Sequence, residues 1–205
     1  MDNDGDGDAC DSDIDGDTLP NTVDPFPTSA NVVYYYKTAN KLLSDGNLSG
    51  TWTPSGTALC QNDYTDGFAV SLNASFLPTS NYLVETRITV LGVDPNATDG
   101  PAVGIDFRMT STNGYDCVID LWDFDLLIGE WDSSGWQAKT TTAQQSVPST
   151  GPYLLRATAK GNSLSCQLSG TTAQVNDWTN SSGIVGVFTY YAKACIDYLL
   201  VIQAP

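Results

Sequence analysis

The chain has no histidine, few basic residues and no long apolar run. Without histidine, neither a Ser-His-Asp triad nor a Cys-His nucleophile pair can form, and the absence of Cys-x-x-Cys pairs also argues against zinc. Only 8 of 205 residues are Lys or Arg, which gives a formal net charge of −16. Such a chain lacks the basic surface that binds nucleic-acid phosphates. No segment approaches the roughly 20 apolar residues of a membrane-spanning helix. We therefore expect no nucleic-acid partner and no membrane span.

Acidic residues are concentrated at the start of the chain, where no Lys or Arg precedes Lys37. The aspartates of this segment are Asp2, Asp4, Asp6, Asp8, Asp11, Asp13, Asp15, Asp17 and Asp24. Their carboxylates repel one another and the segment has little apolar surface to bury, so by itself it would be extended or disordered. Ca2+ changes that balance, because it takes about six to eight oxygen ligands, which closely spaced aspartates supply.

The spacing of these residues is more specific than their number. Positions one, three, five, nine and twelve of a loop are taken by Asp13, Asp15, Asp17, Asn21 and Asp24. An EF-hand loop has the same early spacing, because alternate residues of a tight loop point at one ion. Position six, normally glycine, is Thr18, and nearby prolines exclude flanking helices, so this is not a standard EF-hand.

A second loop precedes the first and shares one residue with it. It can be traced through Asp2, Asp4, Asp6, Gly7 and Asp13, with Asp8 and Asp11 also available. The string from Asp2 to Pro27, with its DGDGDAC run, resembles the thrombospondin type 3 repeat. The resemblance implies a calcium-wrapped segment over residues 1–27 that holds two or more Ca2+ ions and packs on the domain that follows it. It also implies further repeats upstream in the same chain.

The rest of the chain consists of short segments rich in Val, Ile, Tyr, Phe and Thr, separated by Gly, Asn, Asp, Ser and Pro. This pattern predicts an all-β sandwich or barrel. Apolar and polar residues alternate over Asn81–Leu91, Pro101–Thr110 and Gly114–Trp122. Two further segments, Tyr153–Lys160 and Ser163–Gly170, flank Gly161-Asn162 and predict a hairpin.

The order of these segments over residues 31–203 resembles the concanavalin A-like jelly roll of laminin-G domains and L-type lectins. The segments that carry the resemblance are YLVETRITV, GIDFRM, NGYDCVIDLW, YLLRATAKGNSLSCQLSG and SSGIVGVFTYYAKACIDYLLV. It implies a β-sandwich over residues 28–205 that follows the irregular, calcium-wrapped segment. The same two parts in this order resemble the C-terminal assembly of thrombospondins, and bacterial surface proteins combine them too.

The five cysteines indicate disulfides and an oxidising compartment, so we expect an extracellular, secreted or surface-attached protein. Cys117 and Cys166 both fall on apolar faces of their strands, which favours a bridge between them. In the fold that the chain resembles, the strands of Cys60 and Cys195 are often neighbours, which favours that pair. Four cysteines allow three pairings, so the assignment stays open at this point. The type 3 family implies that Cys10 bridges to a neighbouring repeat and is unpaired here.

The middle strands carry polar residues on one face, and we expect a ligand surface there. The candidates are Arg87, Asp106, Arg108, Asp120, Trp122 and Trp136, with Glu85 on the same predicted face. Carboxylate and guanidinium groups bind sugar hydroxyls, and an indole stacks on a pyranose ring. Trp131, Trp136 and Trp178 lie in or beside predicted loops, where exposed rings could contact a ligand. The alternative is a solvated sheet face with weak cross-strand ion pairs.

Three functions remain open from the sequence. The first is a calcium-binding module whose sandwich binds a glycan or a cell-surface or matrix protein in adhesion or recognition. The second is a structural subunit that self-associates in a calcium-dependent surface layer or fibre. The third is a carbohydrate-active enzyme with carboxylates alone, for which the segment from Asp120 through Asp123 and Asp125 to Glu130 is the closest candidate. That segment lacks the glutamates of the hydrolase motif, so we expect no enzyme activity.

Overall fold

A computed structural model describes residues 7–44, 46–64, 68–72, 80–143, 147–148 and 151–205. Within these ranges the chain forms β-strands and one short 3₁₀ helix, Ala39–Ser44. The strands are β1 (Val33–Thr38), β2 (Gly46–Leu48), β3 (Trp52–Ser55), β4 (Ala58–Gln61), β5 (Phe68–Leu72), β6 (Tyr82–Val93), β7 (Ala102–Met109), β8 (Gly114–Asp120), β9 (Leu126–Asp132), β10 (Gly135–Thr141), β11 (Tyr153–Lys160), β12 (Ser163–Leu168), β13 (Thr171–Asn176), β14 (Ile184–Tyr190) and β15 (Ala192–Gln203). None of the helical residues in these ranges forms a helix long and apolar enough to cross a membrane.

The strands form two antiparallel sheets that pack face to face. Sheet A has the order β13-β12-β11-β6-β15-β4-β3, and β1 pairs with the second half of β15. Sheet B has the order β10-β9-β8-β7-β14-β5-β2. The two longest strands, β6 and β15, have twelve residues each and pair with one another. They connect the β13-β12-β11 half of sheet A with the β4-β3 half. The predicted all-β sandwich that follows an Asp-rich segment is confirmed.

The main hydrophobic core lies between the two sheets. Its members from sheet A include Tyr82, Val84, Ile88, Leu155, Leu164 and Cys166, and those from sheet B include Val103, Ile105, Phe107, Tyr115, Cys117 and Ile119. These residues alternate along their strands with outward-facing ones, as the period of two predicts. The predicted hairpin forms from β11 and β12, with Gly161 at φ +58 in its turn.

Two disulfides join the sandwich in different ways. Cys117 on β8 bonds Cys166 on β12, so this bridge connects sheet B with sheet A through the core. Cys60 on β4 bonds its direct cross-strand neighbour Cys195 on β15, within sheet A. Cys10 is exposed and forms no disulfide in the described part of the chain. The structure therefore contains both of the bridges that the sequence favoured.

The Asp-rich segment packs on the outer face of sheet A through a second apolar cluster. Leu19 is completely buried and belongs to the same cluster as Leu83, Leu200 and Ile202. The partly buried residues packed against this cluster are Val23, Phe26, Val33, Tyr36 and Leu154. The segment is thus held to the sandwich by apolar side chains between its aspartates, which confirms the expectation that it packs on the following domain.

Candidate functional site

The loop from Asp13 to Thr18 is shaped by its own carboxylates. Asp13 accepts hydrogen bonds from the backbone N–H of Gly16 to Oδ1 (3.1 Å) and of Thr18 to Oδ2 (2.9 Å). Gly16 and Thr18 have φ angles of 73° and 78°. Thr18 therefore adopts the left-handed conformation that glycine provides at position six of an EF-hand loop, although its branched side chain disfavours it.

Carboxylates converge inside this loop. Asp13, Asp15 and Asp17 each offer an oxygen within 4.8 Å of the others' oxygens. Burial, and then repulsion from the Asp17 and Asp15 charges, raises the pKa of Asp24, so this carboxyl lies close to the same group. One oxygen of Asp15 and one of Asp24 are buried and have no hydrogen-bond partner among the residues that the structure describes. Buried oxygens without a donor fit a hard divalent cation, which would satisfy them.

Asn31 is a part of this site that the spacing argument missed. Its backbone N–H and its side-chain N–H both donate to Asp17 Oδ2 (2.8 Å each), and its side chain also donates to Asp24 Oδ1 (2.9 Å). Asn31 therefore connects Asp17, at position five of the loop, with Asp24, at position twelve, from a place in the chain just before β1. Its distance in sequence from the D-x-D-x-D pattern explains why it could not be recognised there.

The other predicted metal ligands have different positions. Asn21 Oδ1 accepts from the N–H of Ile14, and its Nδ2 donates to the carbonyl of Asp11, so this side chain also closes the loop. Asp11 Oδ1 accepts from the N–H of Asp13, and Asp8 is exposed. Asp2, Asp4 and Asp6 lie outside the described residues. Ligand roles for these residues remain predictions.

The single polar floor predicted for the middle strands is wrong, because its strands belong to two different sheets. Glu85 and Arg87 lie on β6 in sheet A, whereas Asp106 and Asp120 lie on β7 and β8 in sheet B. Glu85 is buried and binds Arg156 and Tyr198. Arg87 makes an exposed pair with Asp197 at 3.9 Å. These two groups cannot share a ligand with sheet B.

Arg108 also differs from its predicted role, because it faces the interior. Its φ of 50° and a register shift between β7 and β14 mark a β-bulge, which interrupts the alternation of the strand. The guanidinium is 1% exposed and donates to the backbone carbonyls of Asn180, Ser80 and Gly161. Burial lowers the pKa of Arg108. This side chain stabilises one end of the sandwich and is not accessible to a ligand.

The outer face of sheet B instead carries two indoles fixed on one carboxylate. The N–H groups of Trp131 and Trp136 both donate to Asp116 Oδ2, at 2.7 and 2.9 Å. Trp136 lies directly over Gly129, since a Cβ atom on this glycine would approach the indole to 2.3 Å. The two rings remain 43% and 40% exposed. They therefore form an aromatic surface of fixed orientation, with their polar edges turned down into the sheet.

A pair of acids lies beside these rings. Asp106 and Asp116 are direct cross-strand partners on β7 and β8. Burial raises the pKa of Asp106 to about 6. Burial, followed by the adjacent Asp106 charge, raises the pKa of Asp116 well above its usual value. The pair thus keeps a proton at pH values where two exposed aspartates would both be ionised.

Asp120 and Trp122 lie at the other end of β8. Asp120 Oδ1 accepts from the N–H groups of Trp122 (2.7 Å) and Asp123 (3.2 Å), so it closes the turn before β9. Asp120, Asp123 and Asp125 have carboxylate oxygens within 4.8 Å of one another, and Asp125 also accepts from Thr141. Trp122 is exposed. These hydrogen bonds fix the turn between β8 and β9.

A polar network that the sequence did not reveal fills one end of the sandwich. Lys139 contacts Glu130 at 2.8 Å and Asp177 at 2.9 Å. Asp177 also accepts from the hydroxyl of Tyr115 (2.7 Å), and Asn180 donates its backbone N–H to the same hydroxyl (3.2 Å). Both carboxylates are nearly buried, with 8% and 11% of their side chains exposed. Lys139 therefore neutralises two acids at once.

Comparisons with known proteins agree with this architecture. Residues 1–33 match the thrombospondin type 3 repeat family. No curated protein sequence matches the chain. The fold is similar to the carbohydrate-binding module CBM66 from Bacillus subtilis, with a TM-score of 0.64 and 16% identity over 81% of this chain and 97% of that one.

Two further solved structures have the same fold. The exoplasmic/lumenal domain of VIP36, in a form bound to Ca2+ and Man3GlcNAc, has a TM-score of 0.62 and 8% identity over 84% of this chain and 89% of that one. Domain 4 of AbnA, an extracellular arabinanase from Geobacillus stearothermophilus, was solved in complex with arabinotriose. It has a TM-score of 0.57 and 11% identity over 85% of this chain and 93% of that one. The chain thus combines a match to the type 3 repeat with a lectin-like β-sandwich.

Proposed function

We propose that this chain is an extracellular recognition module in which a calcium-binding segment is fixed to a glycan-binding β-sandwich. The observation that carries the proposal is the exposed indole pair of Trp131 and Trp136, whose N–H groups are both held by Asp116. Rings held in one orientation lose little freedom when a sugar stacks on them, and this lowers the entropic cost of binding. The two disulfides support an extracellular location.

The proposed glycan surface is the outer face of sheet B around these rings. Asp106 is half-buried, lies opposite Asp116 on the neighbouring strand and can accept hydrogen bonds from sugar hydroxyls. Ala102, Val118, Leu127, Phe188 and Tyr190 form an apolar cluster on the same face of the sheet. Flat aromatic and apolar area with a few carboxylates is the composition that carbohydrate sites use. The solved neighbours with bound sugars support the same class of ligand.

The proposed calcium site is the loop formed by Asp13, Asp15 and Asp17, with Asp24 beside it. A bound Ca2+ ion would supply positive charge to these carboxylates and to the unpartnered oxygens of Asp15 and Asp24. With the second loop that begins at Asp2, we propose two or more ions. Because Leu19 anchors this loop to sheet A, ion binding would stiffen the Asp-rich segment against the sandwich.

Replacement of Trp136 by Ala is expected to weaken glycan binding by roughly 10- to 100-fold, because a central aromatic contact is lost. A glycan array in the presence of Ca2+ identifies a ligand, and isothermal titration calorimetry then measures its affinity for both proteins. Trp178→Ala is the matched control, since Trp178 is a 77% exposed loop residue that follows β13, a strand of sheet A. Equal losses in both variants, or no loss in Trp136→Ala, would contradict the proposed site.

Removal of Ca2+ with a chelator is expected to expose the segment around residues 7–27 to limited proteolysis while the sandwich stays intact. At free Ca2+ about 100-fold above its dissociation constant, the ion would stabilise the folded segment by about 2.7 kcal/mol.

Calorimetric titration of the double variant Asp15→Asn/Asp24→Asn should show fewer bound ions than the wild-type chain. Asp197→Asn, on the outer face of sheet A, is the control. A cleavage pattern that is the same with and without chelator counts against the calcium proposal.

A further inference from the structure

The Asp106–Asp116 pair has no basic partner among the described strands of its sheet. In the described strands of sheet B, Lys or Arg occurs only as Arg108 on β7 and Lys139 on β10. Arg108 turns inward to three backbone carbonyls, and Lys139 is held by two other acids. Among the described residues, Asp116 Oδ2 accepts the two indole N–H groups, whereas the buried Oδ1 of Asp116 has no hydrogen-bond partner.

Other acids reinforce the negative charge of this face. Asp120 lies on the same face of β8, four residues from Asp116, and Asp99 accepts a hydrogen bond from the hydroxyl of Tyr190 at 3.5 Å. The whole chain has a net charge of −16. A ligand that approaches the indole pair thus meets a negative potential, which attracts cations and repels anions.

We propose that this surface selects glycans that carry free amino groups, with an ammonium of the sugar seated at the Asp106–Asp116 pair. The inference rests on the proposed glycan function and names the ligand class of that same site. An ammonium group has three donors and no acceptor, so it can bind Asp106, the more exposed member of the pair, and its charge would also compensate Asp116, which is 3% exposed. It would take the place of the proton that the pair otherwise shares. The exposed indole faces attract the same cation through their π-electrons.

The position of the rings supports a sugar rather than a basic peptide. Trp136 lies over the sheet backbone at Gly129 and is 40% exposed on the outer side of sheet B. A pyranose ring stacks on an exposed indole, and its substituents then project sideways toward neighbouring polar groups. Asp106, half-buried next to the indoles, is the carboxyl group that such a substituent can reach. Uronic acids and sulfated sugars would place a negative charge there and should be rejected.

A matched set of three tetrasaccharides tests the proposal, because they differ only in the substituent at C2. These are the β-1,4-linked tetramers of glucose, N-acetylglucosamine and glucosamine, measured by calorimetry with Ca2+ present and at a pH where the amines are protonated. We expect the glucosamine tetramer to bind about tenfold more tightly than the other two. Asp106→Asn should remove this preference, while Asp197→Asn, which removes the same charge from the opposite sheet, should keep it. Thermal melts verify that both variants are folded.

The outcomes separate this inference from the proposed function. Equal binding of all three tetramers, abolished by Trp136→Ala, would overturn the amine preference and leave the glycan site in place. A preference that persists in Asp106→Asn, or that Asp197→Asn weakens to the same extent, would overturn it as a general charge effect. A lack of binding to these tetramers and to every sugar of a broad glycan array would overturn the inference together with the glycan proposal.

Discussion

Replacement of Lys139 by Met is expected to lower the free energy of unfolding by roughly 3–5 kcal/mol at neutral pH, because it leaves buried acids without their cation. Lys139 contacts Glu130 and Asp177, whose side chains are 8% and 11% exposed. Methionine keeps most of the volume of the lysine stem, so packing changes little. Guanidinium chloride unfolding of both proteins measures the difference. Lys160→Met removes an exposed lysine and should change stability by less than about 0.5 kcal/mol.

The pH dependence of this difference follows from the two pKa shifts. Hydrogen bonds to Glu130 and Asp177 raise the pKa of Lys139. The stability that the charged lysine contributes is therefore lost only at strongly alkaline pH. Burial alone would raise the pKa of Asp177, but hydrogen bonds from Tyr115 and Lys139 lower it below its ordinary value. Its contribution is therefore present above about pH 4 and is lost as the pH falls further. The gap between wild type and Lys139→Met should narrow in acid; a gap that widens there would contradict the assignment.

Much of the sandwich could be predicted from the sequence, because alternation reports which residues face the core. Tyr82, Val84 and Ile88 on β6 and Cys117 on β8 face inward as their spacing predicts. Such patterns depend only on the period of an extended chain and need no knowledge of the neighbouring strand. The convergence of Asp13, Asp15 and Asp17 was predictable for a similar reason, since these carboxylates are close in sequence.

The arrangement of the strands could not be predicted in this way. Alternation does not indicate which sheet a strand joins, and so Arg87 on β6 was grouped with Asp106 on β7, although they lie in different sheets. Alternation predicts that the Arg108 side chain is exposed. Its backbone has a positive φ angle at a β-bulge, and the side chain therefore lies in the interior. Arginine rarely adopts this conformation, and nothing in the local sequence indicates the bulge.

Two glycines within strands were a signal for the aromatic surface. Gly104 and Gly129 both lie where a Cβ atom would collide with an aromatic ring, that of Phe188 or Trp136. Glycine weakens a strand, so its presence in one often marks a close approach by another group. Combined with Trp131 and Trp136 near Asp116, these glycines indicate rings that lie on the sheet. The hydrogen-bond partner of each ring could be identified only from the register of β8, β9 and β10.

Loss of the bridge between Cys117 and Cys166 is expected to lower the free energy of unfolding by about 4 kcal/mol. The two residues are 49 apart in sequence, and the chain-entropy model assigns this stabilisation to a loop of that length. The comparison is best made in a Cys10→Ala background, which removes the free thiol and prevents exchange. Denaturant unfolding of the Cys117→Ala/Cys166→Ala variant measures the loss under non-reducing conditions.

Loss of the Cys117–Cys166 bridge is expected to affect a different part of the structure from loss of the Cys60–Cys195 bridge. Cys117–Cys166 connects the two sheets, whereas Cys60–Cys195 joins neighbouring strands that β-sheet hydrogen bonds already hold. The chain-entropy model alone gives Cys60–Cys195 the larger value, about 5 kcal/mol, because its loop is longer. The native pairing of β4 and β15 continues without it, so hydrogen exchange in sheet A should stay cooperative with the rest of the domain.

Without Cys117–Cys166, we expect amides of β12 and β13, at the edge of sheet A, to exchange faster than those of β8. Uniform exchange rates across both sheets in that variant would contradict a role for this bridge in holding the two layers together.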